Sequence, residues 1–180
     1  MSPATGRTWA LPLWALVALP TGCRTEARSA AAPVAELRAC DLLTLEEADP
    51  GGREGLQPMR TPLDTAAGAD AAKCSYAAAE LPSRVVALEV RRYPTVSRAA
   101  AAQRGAASFL PSLSGVGNAP VHGLGDEAIW AGGRLGQLHL RSEALRLIVT
   151  VEVGEEGARG ERARALAARG LERLAPSRVP

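Results

Sequence analysis

The sequence of 180 residues predicts a single α+β domain, an antiparallel sheet with helices packed on one face. Residues 84–93 and 145–153 alternate apolar and polar side chains, as strands with one buried face do. Residues 160–175 instead place small or apolar residues every three or four positions, which is typical of an amphipathic helix. Because the strands come in runs between helices, antiparallel pairing is favoured over a parallel sheet.

The first predicted element is a short helix in the segment CDLLTLEEAD. Thr44 and Glu47 have capping-box spacing there, and the DPGG turn soon ends the helix. Residues 49–73 are rich in Gly, Pro and Asp and are expected to form a long irregular connection. Two strands follow, CSYAAAEL and RVVALEVRRY, and then a helix over RAAAAQRGAASFL for which Ser97 is the expected cap.

Three further strands are predicted after a linker rich in Gly, Pro and Ser. They are DEAIWA, GQLHLRS and LRLIVTVEV, separated by GGR and SEA turns. The helix GERARALAARGLERLA then closes the domain. The predicted order within residues 38–176 is therefore α-β-β-α-β-β-β-α.

The N-terminal 22 residues are interpreted as a signal peptide. Arg7 precedes an apolar run from Trp9 to Leu19, which has the length of a signal-peptide core. A membrane-spanning helix needs roughly 20 apolar residues, so this run is too short to serve as one. We therefore expect the chain to be exported.

The segment ALPTGC resembles a bacterial lipobox, in which the cysteine is lipidated and becomes the mature N-terminus. Gly22 and Cys23 match that pattern, whereas Pro20 stands where leucine is usual. The resemblance implies a lipid-anchored protein at the cell membrane or outer membrane, with residues 23–37 as a flexible tether. Secretion without a lipid, into the periplasm or the medium, is the alternative.

The remaining cysteines indicate a disulfide. If Cys23 carries a lipid, Cys40 and Cys74 form an even pair, which exported domains commonly use as a cross-link. A catalytic thiol would need a nearby base, and a metal site would need CxxC or Cys/His spacing. Neither cysteine has such a neighbour in sequence, so the disulfide is the favoured interpretation.

Composition and motifs exclude several function classes. Lys and Arg number 21 against 19 Asp and Glu, with no long run of one sign, and aromatic residues make up 3% of the chain. Binding to nucleic acid is therefore not expected. The sequence also lacks a P-loop, a GxSxG elbow and an HExxH motif. We expect a non-enzymatic protein without a cofactor.

The segment VHGLGDEAIW is the place where chemistry is most plausible. A divalent metal site could combine His122, Asp126 and Glu127 with His139 from the next hairpin. The favoured interpretation is a structural turn in which Asp126 accepts hydrogen bonds from the turn's own amides. His139 is then a solvated residue on the polar side of its strand. A contact surface is considered at two further places, Arg91, Arg92 and Tyr93 at a strand end, and Trp130 beside two glycines.

Several short motifs together resemble a family of small bacterial lipoproteins of unknown function. The matching elements are CDLLTLEEA, CSY, VHGLGDEAIW, GQLHLRS and the closing helix, spread over residues 40–175. The resemblance implies an envelope domain with a bridge between Cys40 and Cys74, and it brings no known activity. The expected function is a lipoprotein that binds an envelope protein or a small ligand. An envelope hydrolase or metalloenzyme built on the loop from His122 to Glu127 is the alternative.

Overall fold

The computed structural model describes residues 38–59 and 70–175. These residues all belong to one compact unit of the chain, Ala32–Pro180. The predicted signal peptide, the tether and Cys23 lie outside the described residues. In the part that is described, no helix combines the length and the apolar character needed to cross a bilayer.

The described residues form seven antiparallel strands in one sheet, in the spatial order β1-β2-β3-β7-β6-β5-β4. The strands are β1 Leu56–Met59, β2 Asp70–Ala78, β3 Val85–Arg92, β4 Ala119–Pro120, β5 Glu127–Ala131, β6 Gln137–Ser142 and β7 Leu145–Val151. The helices are α1 Ala39–Leu42, α2 Leu45–Ala48, α3 Val96–Ser114 and α4 Glu156–Leu174, with a 3-10 turn over Pro50–Gly52. The predicted α+β class is confirmed.

The main core lies between the sheet and α4. Leu147 and Val149 of β7 project to this side, and Leu88 of β3 lies beside them. Gly170 of α4 packs directly against the side chains of Leu88 and Leu147, so the helix approaches the sheet closely. Helix α1 contacts α4 as well as β2 and β3, and it therefore extends the same layer.

Helix α3 lies on the opposite face of the sheet from α4. Arg146 neighbours Leu147 along β7 and therefore projects to the other side, where its guanidinium donates to Gln103 of α3. The prediction that the helices pack on one face of the sheet holds for α1 and α4, whereas α3 packs on the other face. The cap of α3 also differs, because Thr95 rather than Ser97 accepts the hydrogen bond from the Arg98 amide.

The connection over residues 49–73 is more regular than predicted. It contains β1 and the beginning of β2 within its described part. Only Leu56 of β1 is buried, and Pro58 argues against a strand, so the sequence carries no periodic signal there. Proline is tolerated because β1 is an edge strand with a partner on one side only.

A disulfide joins α1 to β2. Cys40 and Cys74 are bonded, with their Cα atoms 5.0 Å apart, which confirms the predicted cross-link. The Tyr76 hydroxyl donates to the Leu43 carbonyl at 2.9 Å and makes a second tie between the same regions. The predicted capping box of Thr44 is also present at the start of α2. The disulfide and the Tyr76 hydrogen bond fix this N-terminal region to the sheet.

Candidate functional site

A cleft of about 340 Å³ lies between the β4–β5 edge of the sheet and α4. One wall is formed by residues 119–122, which include β4, and the other by α4. The side chains that give the cleft its chemical character are Trp130, His122, Glu161 and Arg164. Apolar surface therefore meets one carboxylate, one guanidinium and one imidazole in a single concave site.

Strand pairing places Trp130 in the cleft. Ala119 of β4 pairs with Trp130 of β5, and the Val121 amide donates to the Ala128 carbonyl at 2.9 Å. This short two-strand ladder holds the segment that carries His122 alongside the indole. Backbone hydrogen bonds thus fix the strand position from which the indole projects.

Two glycines leave room for the indole. A Cβ added at Gly132 would lie 3.0 Å from the Trp130 Nε1 atom, and one added at Gly160 would lie 3.4 Å from Cε2. Gly160 is inside α4, where glycine costs about 1 kcal/mol relative to alanine. The close approach of the indole to the helix backbone accounts for a small residue at this point.

The polar side chains of the cleft come mainly from α4. Arg164 donates from Nη2 to the His122 carbonyl at 3.2 Å, and Glu161 lies one turn earlier on the same helix. This arrangement offers hydrogen-bond donors and an acceptor next to an aromatic face, which suits recognition of a small polar molecule. Gly160, Glu161 and Arg164 carry no sequence signal of a site, because they lie 30 to 34 residues beyond Trp130 and look like ordinary helix residues.

Asp126 connects its loop to the β6–β7 turn. Its Oδ2 accepts from Arg141 Nη1 and from the Glu143 amide, both at 2.7 Å. The prediction that Asp126 would bind amides of its own turn is therefore corrected, because the partner amide belongs to a different turn. Glu143 has φ of 53°, a left-handed conformation that the bond from its amide helps to hold. Glu127 lies 3.9 Å from the Arg141 guanidinium.

His139 is buried, and the prediction that it is solvated is wrong. Its exposed fraction is 5%, because α3 covers this face of β6. Arg146 donates to Nδ1 at 2.6 Å, so the ring is neutral and its Nε2–H donates to Gln137 Oε1 at 3.0 Å. Gln103 donates to the His139 carbonyl at 3.1 Å. Burial, with the positive charge of Arg146 and Arg91, lowers the pKa of His139 to about 3.

The residues considered for a metal site are distributed over different places. His122 borders the cleft, Asp126 and Glu127 face Arg141, and His139 is enclosed beneath α3. Within residues 38–59 and 70–175, no group of three or more His, Cys, Asp or Glu side chains is placed to hold a metal ion.

The strand end considered as a contact surface is partly buried. Tyr93 is 8% exposed and packs against Ala99 of α3, which removes it from that surface. Arg91 pairs with Glu89 on its own strand. The Nη1 atom of Arg92 is buried and has no hydrogen-bond partner among the described residues. Trp130, the other predicted contact residue, lines the cleft between β4, β5 and α4.

The fold and the cleft together define a disulfide-linked α+β domain with a concave site beside α4. Comparisons with protein-family models, with characterised proteins and with solved structures found no match for the chain.

Proposed function

We propose that this protein is a non-enzymatic cell-envelope lipoprotein whose domain binds a small ligand in the cleft at Trp130. The cleft is the observation that carries the proposal. Its volume of about 340 Å³ is at the lower end of the range for small-molecule sites, about 300–1,000 Å³. A molecule with one flat ring and a few polar groups suits that volume.

The chemistry of the lining supports a polar ligand. Trp130 supplies an apolar face, while Arg164 and Glu161 supply a donor group and an acceptor group from one helix. Binding sites for small molecules typically combine such apolar surface with a few convergent polar groups. The lining has no hydroxyl or thiol nucleophile, so a catalytic role would have to rest on His122 and Glu161.

The envelope location is supported by the disulfide and by the N-terminal sequence. Disulfides persist mainly in oxidising compartments, and the bond between Cys40 and Cys74 suits an exported domain. The apolar run before Cys23 and the lipobox resemblance add a route to the membrane. Acyl chains contribute about 0.8 kcal/mol per buried methylene, and two or more chains give stable anchoring.

Fatty-acid labelling in the native host tests the anchor. Wild type should incorporate the label and sediment with membranes, whereas Cys23→Ser should be unlabelled. Label retained by the variant, or an unlabelled wild type in the soluble fraction, would contradict the anchor. In the second case the protein would be a secreted binding domain.

Thermal unfolding tests the binding function. Sugars, small carboxylic acids and short peptides can be screened against the unit Ala32–Pro180, which contains the whole described core and the disulfide. A ligand present at 100 times its Kd stabilises the folded state by about 2.7 kcal/mol, which raises Tm by several degrees.

The same screen with variants locates the site. Trp130→Leu and Arg164→Gln should abolish the rise in Tm, and Arg169→Gln should keep it. Arg169 is a suitable control because it lies on α4 with 55% of its side chain exposed, and it is not part of the cleft. A rise in Tm that survives both cleft variants, or turnover of the bound compound, would contradict the proposal.

A further inference from the structure

Helix α3 carries an exposed apolar stripe at its C-terminal end. Phe109 is 60% exposed, Leu113 is 44% exposed, and Val116, two residues beyond the helix end, is 47% exposed. Phe109 and Leu113 are four residues apart and therefore lie on one side of the helix, and Val116 is exposed directly after the Gly115 cap at the same end. Single exposed apolar residues are normal on a protein surface, whereas a contiguous group of them often marks a contact site.

The surroundings of the stripe are positively charged. Arg98 lies three turns before Phe109 on the same side of α3, whereas Arg104 lies on the opposite side, and the helix has no acidic residue over its 19 residues. The Arg134 guanidinium lies next to Gly115, 3.6 Å from the place where a Cβ would stand, and therefore beside Val116. By contrast, the other long helix, α4, mixes glutamates with its arginines. The charge of α3 is thus complementary to an anionic surface.

The stripe is held rigidly in its exposed position. Pro111 has no amide hydrogen, so it leaves the Ala107 carbonyl without its usual helical donor. The Asn118 side chain replaces that donor, with Nδ2 at 2.7 Å from the Ala107 oxygen. Ser114 also bonds both the amide and the carbonyl of Val116, at 3.2 and 2.7 Å.

We infer that the stripe formed by Phe109, Leu113 and Val116 rests on an anionic lipid bilayer, with Arg98 and Arg134 contacting the headgroups. Amphipathic helices at membrane interfaces combine apolar side chains with Lys or Arg in this way. A second copy of the chain is a poorer occupant, since a stable dimer buries about 800 Å² per partner and three side chains supply much less. The contact does not require a lipid on Cys23. When a lipid is present, the two membrane signals act together.

Vesicle flotation of the unit Ala32–Pro180 tests this inference without any contribution from the N-terminal segment. The probes are vesicles of phosphatidylcholine alone and vesicles that contain phosphatidylglycerol as well. The wild-type unit should bind the second kind only, and binding should weaken as salt screens the arginines. Phe109→Ser should lower the bound fraction about tenfold, because one large apolar side chain no longer enters the interface.

A matched control separates the stripe from surface hydrophobicity in general. Leu81 is 53% exposed in the turn between β2 and β3, and Leu81→Ser should bind as the wild type does. Circular dichroism checks that each variant is folded. Equal binding by Phe109→Ser and wild type, or no binding of wild type to the anionic vesicles, would overturn the inference. A dimer in sedimentation that Phe109→Ser abolishes would also overturn it, because the stripe would then belong to a second copy.

Discussion

Acidification should destabilise the fold through His139. The neutral ring accepts a hydrogen bond from Arg146 and donates one to Gln137, so a protonated ring would lose the bond at Nδ1. It would also place a third positive charge beside Arg146 and Arg91 in a buried region. The His139 ring is therefore harder to protonate in the folded state than in the unfolded chain.

The magnitude follows from the two pKa values. The pKa of His139 is about 3 in the folded state, against an ordinary value of 6.5. Because the unfolded state binds the proton first, the stabilisation is fully present above pH 6.5 and is lost as the pH falls toward 3. Between pH 8 and pH 5 the free energy of unfolding should fall by about 2 kcal/mol from this residue alone.

Urea unfolding from pH 8 to pH 5 measures this loss. His139→Gln removes the titrating group, and its free energy of unfolding should be lower at pH 8 but should change much less with pH. His122→Gln is the matched control, since His122 is exposed, and it should retain the full pH dependence. Glu47 does not interfere, because its hydrogen bond to Arg173 lowers its pKa to about 2 and confines its effect to pH below 4.5.

Two results would contradict this role of His139. One is an equal fall in stability for His139→Gln and wild type between pH 8 and pH 5. The other is an NMR titration in which the His139 ring of the folded protein gains a proton near pH 6.5. Either result would mean that α3 does not exclude water from this ring.

Three further perturbations have defined outcomes. Cys74→Ser should lower the free energy of unfolding by about 4 kcal/mol in denaturant titrations, because it removes a cross-link between residues 34 positions apart in sequence. A decrease in this free energy of less than about 1 kcal/mol would contradict the prediction. Gly125→Ala should destabilise more than Gly123→Ala, since a Cβ at Gly125 would lie 2.3 Å from a leucine methyl group and one at Gly123 meets nothing closer than 3.9 Å. Both glycines have positive φ, so the backbone strain of an alanine is similar at the two positions. Equal Tm values for the two variants would therefore show that the clash at position 125 relaxes. Asn118→Ala should lower the free energy of unfolding by about 1–3 kcal/mol, because it leaves the Ala107 carbonyl of α3 without a donor. A variant as stable as the wild type would show that water replaces the side-chain amide.

Much of the fold could be predicted because the central strands alternate clearly. Residues 145–151 form β7, and residues 85–92 form β3, inside the segments that the alternation identified. The capping box of Thr44 predicted the start of α2 correctly, because both of its hydrogen bonds join residues that are only three positions apart in sequence. These signals are carried by neighbours in sequence, so they do not depend on the tertiary structure.

Features set by tertiary contacts could not be predicted. Strands β1 and β4 are short edge elements whose pairing is visible only in the assembled sheet. His139 looks polar in the pattern of β6, but α3 covers that face and the ring is buried. The cleft likewise depends on α4 lying against β4 and β5, and no local pattern links Trp130 to Arg164.

If the cleft at Trp130 takes a small ligand, as proposed, the indole signal of this residue must respond to that ligand. Trp130 is the only tryptophan after residue 22, so the unit Ala32–Pro180 gives one indole N–H resonance. Small molecules extracted from the envelope of the native host should shift that resonance in the wild type and leave it unmoved in Arg164→Gln. Shifts confined to residues far from the cleft, or an indole resonance that moves equally in the variant, would contradict the claim.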